Sequence, residues 1–319
     1  MQQPNREIVN WSRRLKFRHL ETFLVLAQSA TLTQAAASMH MTQSAVSHWL
    51  LDLEDAIGAV LLTRGRKLQL TPAGEMLKEH AVRILGDLRR AQSDLQSVST
   101  GTARQLRVGS IHSGLMTLLP EAIRQFRCAA PDVSIRVTDA PFLQLLDALH
   151  RRDIDLAIVP IDERMYGVSY RNEVLIEDTM EVVVGRQHPL AMETEVNWKL
   201  LAPYPWIAPP ANTLMRRRLE KALLDAGLVI RAHVETASIP LIQALLEHSN
   251  DVAALAGQVA RELHRQGRVH RLNLSAPSNF GAIGLVWDEA EASAMLGSFI
   301  DILRSVAGRG NGESHSRPA

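Results

Sequence analysis

The chain has 319 residues, 46% of them hydrophobic and 22% charged, and its net charge at pH 7 is +1. This length favours two or three domains, and this composition excludes a disordered chain. One cysteine excludes an intramolecular disulfide framework, and no apolar run is long enough for a membrane-spanning helix. No apolar segment follows the basic N-terminal residues, so we expect a cytoplasmic protein without a secretory signal.

The near-neutral total charge hides a basic N-terminal region. Residues 1–101 hold 12 Lys and Arg against 9 Asp and Glu, whereas residues 102–319 hold 23 against 25. Arg64, Arg66 and Lys67 form a second basic group in which no acid intervenes. A small basic domain beside a large, slightly acidic one is compatible with nucleic-acid binding by the first.

Three short helices are predicted at the start of the chain. Apolar residues at helical spacing predict helices over residues 17–28, 32–39 and 43–57. Thr42 is suited to capping the third of these helices, and Gly58 is suited to ending it. Because a tight turn joins the second helix to the third, the two together predict a helix-turn-helix.

The start of the third helix is suited to reading DNA. The side chains expected to be exposed there are able to form hydrogen bonds and include no acid, whereas Asp52, Glu54 and Asp55 lie further along the helix. A recognition helix inserts its N-terminal residues into the major groove, where Gln can bind adenine through two hydrogen bonds. Together with Thr33 of the second helix, the residues expected to contact DNA are Thr42, Gln43, Ser44, Ser47 and His48.

A basic hairpin follows the third helix. Strand-like runs at residues 59–63 and 67–71 flank a Gly-containing turn, which predicts a wing beside the helix-turn-helix. Arg64, Arg66 and Lys67 at its tip are suited to the narrow, negative minor groove of DNA. A solvated turn without DNA contact is the alternative.

A long helix is predicted over residues 75–99. Thr71 and Pro72 are start signals, and the apolar residues then alternate at spacings of four and three. Such a seam favours pairing with a second copy of the chain, and packing of the helix on its own domain is the alternative. The seam consists of Leu77, Ala81, Ile84, Leu88, Ala91, Leu95 and Val98.

Strand-like and helix-like runs alternate from residue 105 to residue 305. This alternation predicts an α/β domain with parallel sheets, in which ligands bind at the carboxyl ends of strands. A Ser-, Thr- and Gly-containing stretch at residues 97–102 is the expected linker, and residues 306–319 are expected to form a disordered tail.

Two segments between a strand and a helix carry polar side chains suited to a carboxylate or phosphate. They comprise residues 110–114 and 209–213, and helix capping is the alternative role for Ser113, Asn212 and Thr213. Arg216–Arg218 can balance a ligand charge, although at least two of three consecutive helical residues must face outward. The candidate effector-binding residues are Ser110, His112, Ser113, Phe142, Pro210, Asn212, Thr213, Thr236 and Ser238.

Several segments match motifs of one protein family. They include Thr31-Leu-Thr-Gln-Ala-Ala36, Met41-Thr-Gln-Ser-Ala-Val-Ser47, Leu70-Thr-Pro-Ala-Gly74 and Trp206-Ile-Ala-Pro-Pro210. Over roughly residues 17–305 the chain resembles the LysR-type transcriptional regulators. The resemblance implies a multidomain fold with an N-terminal all-α winged helix-turn-helix, a long linker helix and a C-terminal α/β effector domain. That effector domain would have two lobes, similar to periplasmic solute-binding proteins.

The resemblance also implies domain boundaries. Ser44, His48 and Leu62 depart from it, because the family usually has Pro, Arg and Phe at these positions. The implied regions are an N-terminal extension (1–16), the winged domain (17–74), the linker helix and hinge (75–104), and the effector domain (105–305). Within the effector domain, lobe I would comprise residues 105–162 and 269–305, and lobe II residues 163–268.

The predicted function is sequence-specific regulation of transcription, controlled by a small polar or anionic metabolite bound between the lobes. The expected partners are double-stranded DNA, this effector and further copies of the chain as a dimer or tetramer, with RNA polymerase as a further candidate. No catalytic residue, metal or cofactor is expected. An enzyme is disfavoured because the chain lacks the usual nucleophile-elbow, phosphate-loop and zinc motifs. A solute-binding module for transport is disfavoured by the attached winged domain.

Overall fold

The computed structural model describes residues 14–65, 67–100, 104–161, 170–274 and 278–313. The chain divides into two compact units, one of Met1–Thr102 with His150–Asp153 and one of Ala103–Leu149 with Ile154–Ala319. Among the described residues, none of the helices has the length and apolar character needed to cross a membrane.

The first unit is a small helical domain with a hairpin. Its three predicted helices are confirmed, the second ending at Ser38 and the third at Gly58 with a φ of 78°. Thr31 and Thr42 accept hydrogen bonds from backbone N–H groups three residues ahead, which starts the second and third helices. The elements are α1 (Phe17–Gln28), α2 (Leu32–Ser38), α3 (Gln43–Ile57), β1 (Leu62–Arg64), β2 (Leu68–Leu70) and α4 (Pro72–Thr100).

The core of this unit includes the beginning of α4. Leu77 and Ala81 are buried in one cluster with Phe23 of α1 and with Val46 and Leu50 of α3. These two residues were predicted to face a second copy of the chain, and the structure corrects that prediction for both of them. They are covered by their own domain because the first turns of α4 pack against it.

The second unit is an α/β domain built on one long sheet. The strand order is β4-β3-β5-β11-β6-β9-β7-β8, with β10 paired to β6. Its strands are β3 (Arg104–Ser110), β4 (Val133–Asp139), β5 (Leu156–Ile161), β6 (Arg171–Val184), β7 (Trp206–Ala208), β8 (Ala232–Glu235), β9 (Val252–Ala256), β10 (His270–Arg271) and β11 (Ser278–Trp287). Its helices are α5 (His112–Thr117), α6 (Leu119–Ala129), α7 (Phe142–His150), α8 (Trp198–Leu201), α9 (Leu214–Asp225), α10 (Ile239–His248), α11 (Gly257–Arg265) and α12 (Ala294–Glu313).

The sheet is mixed rather than parallel, which corrects the prediction. Strand β3 is parallel to β4 and β5, and β7 is parallel to β8 and β9, as expected of strand-helix alternation. Strands β6 and β11 instead run antiparallel to each other and to their other neighbours. They join the two parallel groups into one sheet.

Two lobes follow from the hydrophobic cores along this sheet. Ile176 of β6 belongs to the first-lobe core, whereas Met180 of the same strand belongs to the second-lobe core. Val269 and Leu272 also lie in the second-lobe core, although they were predicted in lobe I. The predicted boundaries at 163 and 269 are therefore wrong, because β6 is a 14-residue strand that passes through both lobes.

The last helix extends past residue 305, the predicted end of the effector domain. Helix α12 runs from Ala294 to Glu313, and Val306 and Ala307 are buried in the first-lobe core. The prediction of a disordered tail is therefore wrong for residues 306–313, whereas residues 314–319 lie outside the described part of the chain. The residues after Ala307 are polar and rich in glycine, so their composition alone does not predict that the helix continues through them.

Candidate DNA interface and effector site

The predicted DNA-reading residues lie on α2 and at the start of α3, and one hydrogen bond joins the two helices. Thr33, Gln43 and His48 are exposed, and Ser47 is half-buried. The Thr33 hydroxyl donates to the Gln43 side-chain oxygen at 3.4 Å, which links the two helices. An oxygen held in this way keeps a second lone pair for a base, and the Gln43 amide nitrogen remains available to donate.

Thr42 caps the start of α3, and Ser44 lies beside it. The Thr42 hydroxyl accepts from the Ala45 N–H at 3.2 Å and lies 3.1 Å from the Ser44 hydroxyl. Both residues are exposed, and the first turn of the helix contains no acid. Ser44 therefore extends the cap at the position where the resembled family has Pro, and it keeps this end of the helix polar.

The wing is a short antiparallel hairpin. Leu62 pairs with Leu70 and Arg64 with Leu68, so the basic turn is at its tip. Lys67 is exposed. Arg66 and the side chain of Arg64 lie outside the described part of the structure, so their proposed contacts with DNA stay predictions.

Glu54 anchors this wing to α3. Its Oε1 accepts hydrogen bonds from the backbone N–H groups of Leu61 and Leu62, at 2.7 and 3.2 Å. The sequence identifies Glu54 only as an acid beyond the predicted DNA-reading end of α3. Nothing local marks its role, because its partners lie seven and eight residues further along the chain, at the start of the hairpin.

Glu54→Ala is expected to lower the free energy of unfolding of the winged domain by about 1–3 kcal/mol, because two backbone donors lose their acceptor. Urea unfolding of the full-length chain, followed by signals from the helical domain, measures this loss. Glu79→Ala removes a carboxylate from an exposed position on α4 and is the matched control. Equal stability of the two variants would show that the anchor contributes nothing.

The remaining seam positions on α4 are open. Ile84, Leu88 and Leu95 are exposed large hydrophobic side chains, and Ala91 is exposed beside them. The side chain of Val98 lies outside the described residues. Isolated exposed apolar residues are common, but a row at heptad spacing favours a partner helix. The predicted interface therefore narrows to the part of α4 from Ile84 onward.

The first effector segment contains a buried hydroxyl without a partner. Ser113 is 5% exposed, and its Oγ makes no hydrogen bond in the described structure. Ser110 is fully buried and donates to the Ile111 carbonyl at 2.9 Å, while His112 Nδ1 lies 3.3 Å from Asp139 Oδ1. Ser113 is thus not a helix cap, and its unsatisfied hydroxyl is suited to a ligand.

The second effector segment is largely satisfied by protein groups. Thr213 caps α9 by accepting from the Arg216 N–H at 3.2 Å, and its hydroxyl donates to the Pro210 carbonyl at 2.7 Å. The Ala211 N–H donates to Glu235 at 3.3 Å. Glu235 of β8, which is not among the predicted site residues, therefore occupies one backbone donor of this segment. Asn212 is exposed.

The weaker candidates differ in the same way. Thr236 accepts a hydrogen bond from the Ser238 N–H at 3.0 Å and so forms a local turn. Ser238 is half-buried at the start of α10, and its side chain makes no cap hydrogen bond. Phe142 is half-buried and packs against a first-lobe cluster. Within the described residues, the Ser238 hydroxyl has no cap hydrogen bond, whereas the Thr236 hydroxyl accepts one from the protein.

Three consecutive arginines on α9 have three different environments. Arg216 pairs with Glu220 and Glu235 and donates to the Pro209 carbonyl, whereas Arg217 is exposed. Arg218 is half-buried, and its Nε is buried without a hydrogen-bond partner in the described structure. Because a guanidinium group only donates, Arg218 is the member of the three whose buried donor still requires an anion or acceptor.

The two lobes meet at α5. Met116 of this helix packs against the second-lobe core, and the helix also contacts α11 of that lobe. Ser113, on the first turn of the same helix, therefore lies where the lobes approach each other. Within the described residues, no group of three or more His, Cys, Asp or Glu side chains is arranged to hold a metal ion.

A buried carboxyl group lies on β6, the strand that passes through both lobes. Asp178 of β6 lies between Ile176 and Met180 and is 2% exposed. Its Oδ1 accepts from the backbone N–H groups of Thr179 and Gln258, at 2.9 and 3.1 Å, whereas its Oδ2 is buried without a partner in the described structure. Burial raises the pKa of Asp178, and the two N–H donors only partly offset this effect.

Asp178→Asn is expected to flatten the pH dependence of stability. Because its folded pKa is raised, Asp178 contributes stability that is complete below its unfolded pKa of about 4 and is lost as pH rises through the folded value. Asn keeps the acceptor oxygen and does not ionise. In urea unfolding from pH 4 to 8, the free energy of unfolding of the variant should increase relative to that of the native chain as the pH rises. Asp132→Asn, at an exposed position, is the control, and parallel curves for all three chains would contradict this effect.

Two protein families match the chain. The family described as "Bacterial regulatory helix-turn-helix protein, lysR family" matches residues 17–75, and "LysR substrate binding domain" matches residues 99–308. Among curated proteins, the HTH-type transcriptional regulator GalR of Pseudomonas putida is 31% identical over 84% of this chain and 68% of its own. The uncharacterized HTH-type transcriptional regulator YdcI of Escherichia coli is 31% identical over 74% of this chain and 77% of its own.

Solved structures show the same fold over nearly the whole chain. HinK, a LysR family transcriptional regulator from Pseudomonas aeruginosa, is 22% identical, covers 92% of this chain and 99% of its own, and has a TM-score of 0.56. Full-length CbnR complexed with its target DNA is 19% identical, covers 92% of this chain and 100% of its own, and has a TM-score of 0.51. The relatives are regulators rather than enzymes, as predicted. With the winged helix-turn-helix and the two-lobed domain on one chain, this protein belongs to the LysR family of DNA-binding transcriptional regulators.

Proposed function

We propose that this regulator acts in the cytoplasm and is controlled by a small polar or anionic metabolite bound between the two lobes of its effector domain. The observation that carries the proposal is the buried, unpartnered hydroxyl of Ser113 on α5, the helix that contacts both lobes. Leaving such a group unsatisfied costs about 1–3 kcal/mol, which a ligand acceptor or donor can recover.

The choice of an anionic ligand is supported by Arg218. Its buried Nε has no partner in the described structure, whereas Arg216, two residues before it, is neutralised by two carboxylates. Ser238 adds a half-buried hydroxyl without a cap bond. Hydroxyl and guanidinium donors together favour a ligand with carboxylate or phosphate oxygens.

We further propose that the chain acts as a dimer or tetramer on DNA. The exposed row of Ile84, Leu88 and Leu95 on α4 supports pairing of the linker helices. The effector unit also exposes apolar residues near both edge strands of its sheet, at Val137 on β4 and at Val229 before β8. A contact at one of these edges, in addition to pairing of the linker helices, would supply the second interface that a tetramer requires. RNA polymerase is a further proposed partner.

Ligand control requires different affinities in two states. A metabolite that binds the closed lobes more tightly than the open lobes shifts the population toward the closed form. The same difference in free energy must then change the affinity of the assembly for DNA, and DNA must change the affinity for the metabolite equally. Strands β6 and β11 join the two parallel groups of the sheet. A movement of one lobe relative to the other therefore has to bend or twist these two strands.

A thermal-shift screen of small carboxylates, phosphates and neutral polar compounds tests the proposal. A carboxylate or phosphate should stabilise the full-length chain, and Ser113→Ala and Arg218→Ala should each weaken that stabilisation. Arg268→Ala removes an exposed arginine from the same unit and is the control. Stabilisation that is unchanged in both site variants would place the ligand elsewhere.

A further inference from the structure

The winged domain contains a cavity along α3, away from the predicted DNA-reading residues. Its volume is about 460 Å³, and it is lined by residues of α3 together with Arg14 and His19. The α3 residues include Trp49, Asp52 and Asp55. Because the reading face is at the start of this helix, the cavity is not explained by DNA recognition.

One wall of the cavity is aromatic and uncharged. The His19 and Trp49 rings meet edge to face, with centroids 5.9 Å apart and planes at 72°. Burial lowers the pKa of His19, and the positive charges of Arg18 and Lys16 lower it further, so all three effects favour the neutral imidazole. The wall therefore offers π surface without adding positive charge.

The other side of the cavity carries two carboxylates against the single cationic side chain of Arg14, so the charged lining is negative on balance. Asp52 and Asp55 are exposed, and neither makes an ion pair or side-chain hydrogen bond within the described chain. A tryptophan ring beside two free carboxylates is suited to a cationic side chain with an apolar stem, above all an arginine.

The chain itself supplies such a segment at the edge of the cavity. Residues 1–13 lie outside the described part of the structure and lead directly into Arg14, which lines the cavity. They contain Arg6 and Arg13 with a single acid, Glu7, and the apolar residues Ile8, Val9 and Trp11. Thirteen extended residues reach about 45 Å, so the segment is long enough to fold back.

We propose that the N-terminal segment of residues 1–13 docks in this cavity, with Arg6 pairing with Asp52 and Asp55 and its apolar side chains covering Trp49. The tether gives the segment a high local concentration, so a weak contact suffices to hold it. Docking braces the C-terminal half of the recognition helix. It also withholds the basic charge of the segment from DNA phosphates. This docking is independent of the effector proposed above.

A distance measurement on the full-length chain tests the docking. A nitroxide label is placed at position 3 (Gln3→Cys in a Cys128→Ser chain), and ¹⁹F-labelled tryptophan provides one resonance for Trp49, assigned with Trp49→Phe. In the native arrangement the label should remove most of the Trp49 signal. Asp52→Asn with Asp55→Asn should restore it, because the pairing partners of Arg6 are neutralised.

The control removes the same charge elsewhere in the first unit. Glu79→Gln with Asp94→Asn changes two exposed acids on α4 and should leave the Trp49 signal broadened. A Trp49 signal that the label does not affect, or one that the Asp52 and Asp55 changes do not restore, would overturn the proposal. In a further sample, the nitroxide and the ¹⁹F-labelled tryptophan are placed on different copies of the chain. Broadening that appears only in this mixed sample would show that a neighbouring copy occupies the cavity, and this result would also overturn the proposal.

Discussion

Leu88→Glu in the full-length chain is expected to dissociate the protein and to weaken its binding to a two-half-site operator by a factor of about 100 or more. Leu88 is 42% exposed on α4, in the row with Ile84 and Leu95 that remains uncovered by its own domain. If this row meets a second α4, the new carboxylate is placed in an apolar seam, where loss of hydration without a partner costs several kcal/mol. Sedimentation analysis measures the association state, and titration of labelled DNA measures the affinity.

A matched variant separates this effect from a general change in charge. Gln92→Glu adds the same carboxylate at an exposed position one turn away, and the chain should remain associated. The contrast with Leu77 is also informative, because Leu77→Glu should unfold the winged domain instead of separating two folded copies. A Leu88→Glu chain that stays associated at micromolar concentration would place the interface outside α4.

Gln43→Ala is expected to weaken specific DNA binding by about 1–3 kcal/mol and to leave binding to random DNA unchanged. Gln43 is exposed at the start of α3, and the Thr33 hydroxyl orients its side-chain oxygen. Removal of a base contact costs affinity only where the matching base is present. The specific sites are first selected from a random DNA library with the native protein. Titrations with the selected sites and with scrambled sites, at one salt concentration, then measure the specific and the non-specific affinity.

Thr33→Val provides a graded test of the same contact. It keeps the shape of the Thr33 side chain and removes the donor to Gln43, so specificity should fall in the same direction but by less. Gln92→Ala, on α4, should change neither value. An equal loss on selected and scrambled sites in Gln43→Ala would assign Gln43 to phosphate contact and remove it from base readout.

The sequence was sufficient for the winged domain because its signals are local. Thr31 and Thr42 start their helices through hydrogen bonds to residues three positions away, and Gly58 ends α3 in a left-handed conformation. Such interactions are complete within one turn of chain, so spacing and residue type predict them. Family motifs then extended the prediction to the two-lobed effector domain.

The seam on α4 shows where periodicity stops being informative. Leu77, Ala81, Leu88 and Leu95 fit one repeat, yet the first two are buried in their own domain and the last two are exposed. A repeat identifies an apolar stripe but not the surface that covers it. The lobe boundaries were misjudged for a related reason, because the length of β6 depends on the strands that pair with it from both lobes.

The effector site depended most on tertiary structure. Ser113 and Thr213 occur in equivalent strand-to-helix segments, but Thr213 caps a helix whereas Ser113 is buried without a partner in the described structure. Arg216 and Arg218 are two residues apart, and the position of Glu235 on β8 helps to determine which of them is neutralised. By itself, therefore, the sequence determined the family, the helix starts and the candidate residues, since these rest on local spacing. Tertiary structure alone decided which polar groups are still free to bind a ligand, because their partners come from distant strands and helices.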